Sequence, residues 1–152
     1  MLATAALIAT VLLAAPGAGD RRERERACGV TAHRLVVRFV EAYNKGDVRR
    51  LDRIFAPEPA FQWYSAPGPD ERFSPAADDR ASLIPYFATR HHAGDRLRLK
   101  RYKFNGRRAS DDTGHFEMTF RRRTATGARW RDAASKGAIA CARKQIIVTS
   151  LG

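Results

Sequence analysis

The chain is short of the residues from which metal and nucleophile sites are made. It has two cysteines, four histidines and two methionines in 152 residues. The cysteines stand far apart, and neither CxxC nor HxxxH spacing occurs, which leaves no zinc motif. His91 and His92 are adjacent, and neighbouring positions on a helix point apart, so they make a poor chelate. His33 reads as a helix surface residue. A Gly-x-Ser-x-Gly elbow and a Gly-rich phosphate loop are both missing, which argues against hydrolase-elbow and nucleotide-loop chemistry. No metal and no cofactor is expected. Internal repeats are lacking, and after residue 19 no apolar run is long enough to cross a bilayer. Negative charge is scarce as well: 16 acidic residues face 28 basic ones, for a formal net charge of +12.

What is present fits one domain with a real core. Hydrophobic residues make up 44% and charged residues 29%, ordinary values for a globular chain. The basic set is arginine-heavy, with only five lysines. Arginine excess suits anion recognition, because the guanidinium fork matches phosphate and carboxylate. A coding bias toward arginine codons is the favoured explanation.

The first 19 residues, MLATAALIATVLLAAPGAG, are apolar and then small. They read as a secretory signal peptide with cleavage among Ala15 to Gly19, and an uncleaved anchor is the alternative. Residues 20–29 read as a charged, mobile leader, and residues 30–152 as the folded domain. Export agrees with the cysteines. Cys28 precedes the first packed helix and Cys141 lies in a late strand, so a disulfide would tie the N-terminal arm to the sheet. Two unrelated buried thiols are the alternative.

Leu35, Val36, Phe39, Val40 and Tyr43 form one helical stripe. Gly46 suits the left-handed residue that closes a helix, and Asp47 suits the cap of the next. Val48, Leu51, Ile54 and Phe55 are the apolar face of that second helix, which Pro57 and Pro59 stop. FQWYS, residues 61–65, reads as a short strand, and residues 66–79 as a loop. A third helix follows, capped by Asp79 or Ser82, with Leu83, Ile84, Tyr86 and Phe87 inward. Pro85 is tolerable only in its first turn.

From Asp95 the pattern becomes strand. Leu97 and Leu99 share one parity, Tyr102 and Phe104 the other. The slip predicts a bulge near Lys100–Arg101. Asn105–Gly106 reads as a turn. Residues 115–123 alternate cleanly, with Phe116, Met118 and Phe120 on one face and His115, Glu117, Thr119 and Arg121 on the other. Residues 124–135 read as a loop around Trp130, and 138–142 with 144–151 as a closing hairpin. The result is an α+β domain: a curved antiparallel sheet wrapped as a cone around three N-terminal helices.

The Tyr43–Asp47 turn, the Leu51–Phe55 helix, the aromatic strand around Trp63, Arg80–Phe87, Gly114–Phe116 and Ile146–Ser150 together resemble the nuclear transport factor two-like superfamily. That superfamily includes the SnoaL-like cyclases and the ketosteroid isomerases. The resemblance spans residues 35–151. It implies a cystatin-like cone with an apolar pocket, and often a homodimer through the outer sheet face. It also implies, for isomerase activity, a carboxylate base on the strand after the second helix and an acid on a later strand. Those positions fall near Trp63 and Ala140, and neither residue transfers protons. Glu58 and Asp70 flank the base position, in Pro-containing turns expected to be solvent-exposed. The interior is therefore expected to be apolar and to lack a proton-shuttling carboxylate, with no catalytic residue assigned.

Tyr43, Phe55, Trp63, Tyr86, Phe104 and Phe116 are the expected pocket lining, for a small apolar or amphipathic ligand. An isomerase, cyclase or dehydratase is the first alternative. His115 and Glu117, opposite the apolar set, are expected on the outer face. Arg96, Arg98, Arg121 and Arg123 are the anion-binding candidates: if their strands pair, they form one positive outer patch. The second alternative is thus a module that binds acidic envelope polymers weakly, with no specific nucleic acid.

Overall fold

The computed structural model describes residues 18–57, 63–65, 74–77, 79–108 and 112–151. The helices are α1 (Ala18–Lys45), α2 (Val48–Ile54) and α3 (Arg80–His92). The strands are β1 (Trp63–Ser65), β2 (Ser74–Ala77), β3 (Arg96–Arg108), β4 (Thr113–Arg123), β5 (Arg131–Ala140) and β6 (Gln145–Leu151). They form one sheet in the order β2-β1-β6-β5-β4-β3. Ladders β3–β4, β4–β5 and β5–β6 are antiparallel, as is β1–β2. The β1–β6 contact is parallel, a departure from the all-antiparallel expectation. The chain reaches that edge through α2, whose following residue Phe55 already bridges Ile146 in parallel.

The helices bury their apolar stripe against the curved sheet. Leu35, Val36, Phe39 and Tyr43 from α1, Leu51 and Ile54 from α2, and Leu83 and Phe87 from α3 meet Leu97, Phe116, Met118, Phe120, Ile139 and Ile146. Between α1 and α2, Gly46 takes φ +67°, and the Asp47 side chain accepts from the Arg50 N–H. A Cβ at Gly46 would lie 2.7 Å from the His91 ring, so the tight turn also seats α3. Asn44 then joins helix to sheet. Its amide donates to the Leu97 carbonyl at 2.7 Å and accepts from the Leu97 N–H at 2.8 Å, pairing as a short strand would.

Several boundaries differ from expectation. The charged segment 20–29 is the opening of α1, with an Asp20–Arg24 pair one turn apart, and Cys28 is bonded to Cys141, which lies in the turn after β5 and not in a strand as expected. Residues 1–17, Glu58 and Asp70 lie outside the described residues. Part of the expected loop 66–79 is strand β2; Pro75 is acceptable there because β2 is an edge. Pro85 sits in the second turn of α3 rather than the first. A capping box between Asp79 and Ser82 and the burial of Leu83 and Phe87 hold the helix through it.

The bulge does fall between Leu99 and Arg101. Asn105–Gly106 is not a turn: β3 continues through it, with a second slip and Gly106 at φ +108°. β4 supplies a ladder partner on that stretch, and a paired strand outweighs a local turn preference. For the same reason β5 begins at Arg131, inside the expected loop.

Candidate functional site

β4 carries its inward parity further than its apolar residues. Gly114, Phe116, Met118, Phe120 and then Arg122 are buried in alternation. Arg122 therefore points into the domain and is only 4% exposed. Its partner comes from the end of α3. Gly94, at φ +88°, turns the chain so that Asp95 starts β3 from beneath the helix, fully buried. Arg122 donates to both Asp95 oxygens, through Nη2 to Oδ2 at 2.7 Å and through Nε to Oδ1 at 3.3 Å. Arg90, on the last turn of α3, adds Nε to Oδ2 at 2.8 Å and reaches the Thr124 carbonyl. The interior thus does hold a carboxylate, contrary to expectation. It is one acid between two guanidiniums.

Tyr43 lies over this triad. Its ring packs edge-on with Phe39 and Phe87, at centroid distances of 5.7 and 5.5 Å, and Phe55 completes the cluster. Its hydroxyl is buried beside the Asp95 carboxylate and makes no hydrogen bond of good geometry. Burial, and then the charge of Asp95, push the phenol far above its ordinary range. Burial alone would lower Arg122, but its bonds with Asp95 outweigh that and raise it. Chemically the triad is a fixed charge cluster. Both carboxylate oxygens already accept guanidinium N–H bonds, Oδ2 from both arginines and Oδ1 from Arg122 at 3.3 Å. Tyr43 offers a donor beside that carboxylate that lacks a well-formed bond.

The other expected lining residues are spread along the interior. Phe55 and Phe116 are buried, and Tyr86 is half-buried. Phe104 is half-buried against Gly29 near the disulfide. The backbone of Trp63 pairs with β2 and β6, and its side chain lies outside the described residues. Cys28 and Cys141 form a disulfide, which suits an oxidising compartment. Among the described residues no cluster suits a metal ion, and no helix is long and apolar enough to cross a membrane.

Tyr102, with its hydroxyl on the Gly29 carbonyl at 3.3 Å, is pushed up to about 12 by burial. Its folded value exceeds the ordinary one of about 10. The fold therefore favours the neutral phenol, and that contribution is whole below about pH 10 and lost as pH rises toward 12. Urea midpoints at pH 9 and 11.5 should show the loss, and Tyr102→Phe should shrink it. An unchanged difference in that variant would contradict the assignment.

On the outer face, β3 and β4 bring the four arginine candidates together, with Arg96 opposite Arg123 and Arg98 opposite Arg121. Arg96 turns back to donate to the His91 and Asp95 carbonyls, closing the C-terminus of α3. Arg98 stacks on Trp130 at 4.2 Å, Arg123 stands 5.4 Å from the same ring, and Arg121 donates to the Trp130 carbonyl. His115 and Glu117 are on this outer side, where Glu117 faces Lys136.

Asp95, Arg122, Arg90 and the role of Trp130 were missed from sequence. The parity of β4 was the available signal for Arg122.

No protein-family model and no curated relative matches the sequence. Solved structures do match its shape. A protein of unknown function with a cystatin-like fold from Methylobium petroleophilum aligns at TM-score 0.61 and 13% identity, over 82% of this chain and 76% of that one. The orange carotenoid protein of Anabaena, solved binding canthaxanthin, aligns at 0.59 and 12%, over 77% of this chain but only 35% of that one. A nuclear transport factor two-like protein of unknown function from Shewanella oneidensis aligns at 0.57 and 10%, over 80% and 95%. The curved sheet closed over three helices is therefore the cystatin-like fold of the nuclear transport factor two-like proteins.

Proposed function

We propose that this chain is an exported, non-catalytic binding domain that takes a small amphipathic molecule inside the cone. The observation that carries the reading is the Tyr43 hydroxyl, buried among Phe39, Phe55 and Phe87 with no well-formed hydrogen bond and only the Asp95 carboxylate beside it. Buried hydroxyls are nearly always bonded, and leaving one unbonded costs about 1–3 kcal/mol. A ligand carbonyl or hydroxyl would satisfy it, while the aromatic walls accept the apolar remainder. Tyr43, Phe55, Trp63, Tyr86, Phe104 and Phe116 are the proposed lining. The carotenoid bound by one protein of this fold is a precedent for an apolar guest. The disulfide and the apolar first 19 residues support export. An isomerase-like reaction is the weaker reading, because the one buried acid among the described residues is clamped by two arginines.

The test is a thermal-shift screen of amphipathic carbonyl and hydroxyl compounds. A hit should raise the Tm of the native chain, Tyr43→Phe should weaken its binding about tenfold, as expected for a lost buried hydrogen bond, and Trp63→Ala should abolish it. Hits that bind Tyr43→Phe and Trp63→Ala as well as the native chain would sink the proposal.

A further inference from the structure

Strand pairing places like charges face to face on the outer side of the sheet. Arg96 opposes Arg123, and Arg98 opposes Arg121. Like charges directly opposite one another destabilise a sheet. With Arg96 withdrawn to cap α3, Arg98 and Arg123 gather on the Trp130 ring and Arg121 on the Trp130 carbonyl. The Arg98 guanidinium lies over the Trp130 ring at 4.2 Å while the residue stays exposed, so its N–H groups are able to receive an anion. Arg123 has a buried Nε without a partner. The nearest carboxylate across the ladder, Asp132, is taken by Lys100 at 3.1 Å. Beside this cluster lies a groove of about 570 Å³ bordered by Lys100, Arg101 and Asp132. The exposed Thr119 and Ala134 line it, and they are small enough for a chain to lie close to the sheet.

We infer that Arg98, Arg121, Arg123 and Trp130, with the adjoining groove, form a binding site for an anionic polysaccharide. Sulfate, phosphate or carboxylate groups on the polymer would meet the guanidinium edges, and its backbone would follow the groove. Single-stranded nucleic acid is less suited, since the indole face that a base would stack on is already covered by Arg98. A membrane surface is less suited because the only large hydrophobic side chain exposed among the described residues is Val30, on α1. A second copy of this face would add repulsion.

Heparin, a sulfated polysaccharide, is the probe, titrated against the full chain across a salt series. Three engaged arginines should give a log–log salt slope of about −2. Arg98→Gln with Arg121→Gln should weaken binding about tenfold or more and flatten that slope. Arg49→Gln with Arg53→Gln removes the same charge from exposed positions of α2 and should cost less than about threefold. Trp130→Leu keeps every charge and should still cost about three- to fivefold through lost stacking. Circular dichroism confirms that each variant folds. Equal losses from the sheet and α2 pairs, or no loss from Trp130→Leu, would overturn the site and leave only attraction by net charge. Tighter binding of oligo(dT), polyglutamate or phosphatidylglycerol vesicles than of heparin at the same salt would overturn the polymer class. None of these variants touches Tyr43, so the outcome is independent of ligand binding in the interior.

Discussion

Changing Asp95 to asparagine should destabilise the domain by about 3–5 kcal/mol, the usual cost of removing one member of a buried ion pair. The side chain keeps its shape, so the loss is electrostatic. Arg122, 4% exposed, and Arg90 would then face each other across a neutral amide. Water cannot easily replace the missing charge at a fully buried position. Arg90→Met should cost less, because the Arg90 side chain is 22% exposed and Asp95 keeps Arg122. Asp95→Leu combined with Arg122→Met should cost less than Asp95→Asn alone, since apolar replacement of a whole pair removes its desolvation penalty. Urea unfolding at pH 7 measures all three. A loss below about 1 kcal/mol for Asp95→Asn would mean that the triad is hydrated rather than sealed in the core.

The second large effect concerns the disulfide. Cys28 and Cys141 are separated by 113 positions, and closing so long a loop restricts the unfolded chain by about 4–5 kcal/mol in the chain-entropy treatment. Cys28→Ser with Cys141→Ser should therefore lower stability by about 3–5 kcal/mol. The location sharpens the expectation. From Gly19 to Ala27 every residue of α1 is exposed except the half-buried Glu25, so that first third of the helix contributes little to the core. The bridge fastens it to the turn after β5. Gly114 lies directly under it: a Cβ there would come within 2.7 Å of the Cys28 sulfur and 3.1 Å of the Cys141 sulfur. Without the bridge, hydrogen exchange in residues 19–27 should rise well before the rest of the domain opens. Guanidinium midpoints that are equal for the native and serine chains, with exchange unchanged in α1, would show that packing alone holds the helix.

Much of the architecture was readable because it is written in local chemistry. Gly46 and Asp47 announce the α1–α2 junction through backbone freedom and a short acceptor side chain, and both act as read. The parity slip between Leu99 and Tyr102 located the β3 bulge, since a strand has period two and any slip must be absorbed by an extra residue. Failures occurred where a partner strand overrode local preference. Asn105–Gly106 is a good turn pair in isolation but lies inside a ladder with β4. Arg131 to Ser135 are weak strand formers held in β5 by β4 on one side. The candidate sites were the least legible part. Asp95 and Arg122 are 27 positions apart, and nothing in their local sequence marks them as partners.

The sequence by itself determined the three amphipathic helices, their caps, the alternating strands and the surplus of arginine. These follow from side-chain periodicity and from groups a few residues apart. Only the tertiary structure decided which charges go inside and which arginines gather on Trp130. A charge's energy depends on its distance to every other charge and on how much water surrounds it, and both quantities exist only after the sheet has curved over the helices.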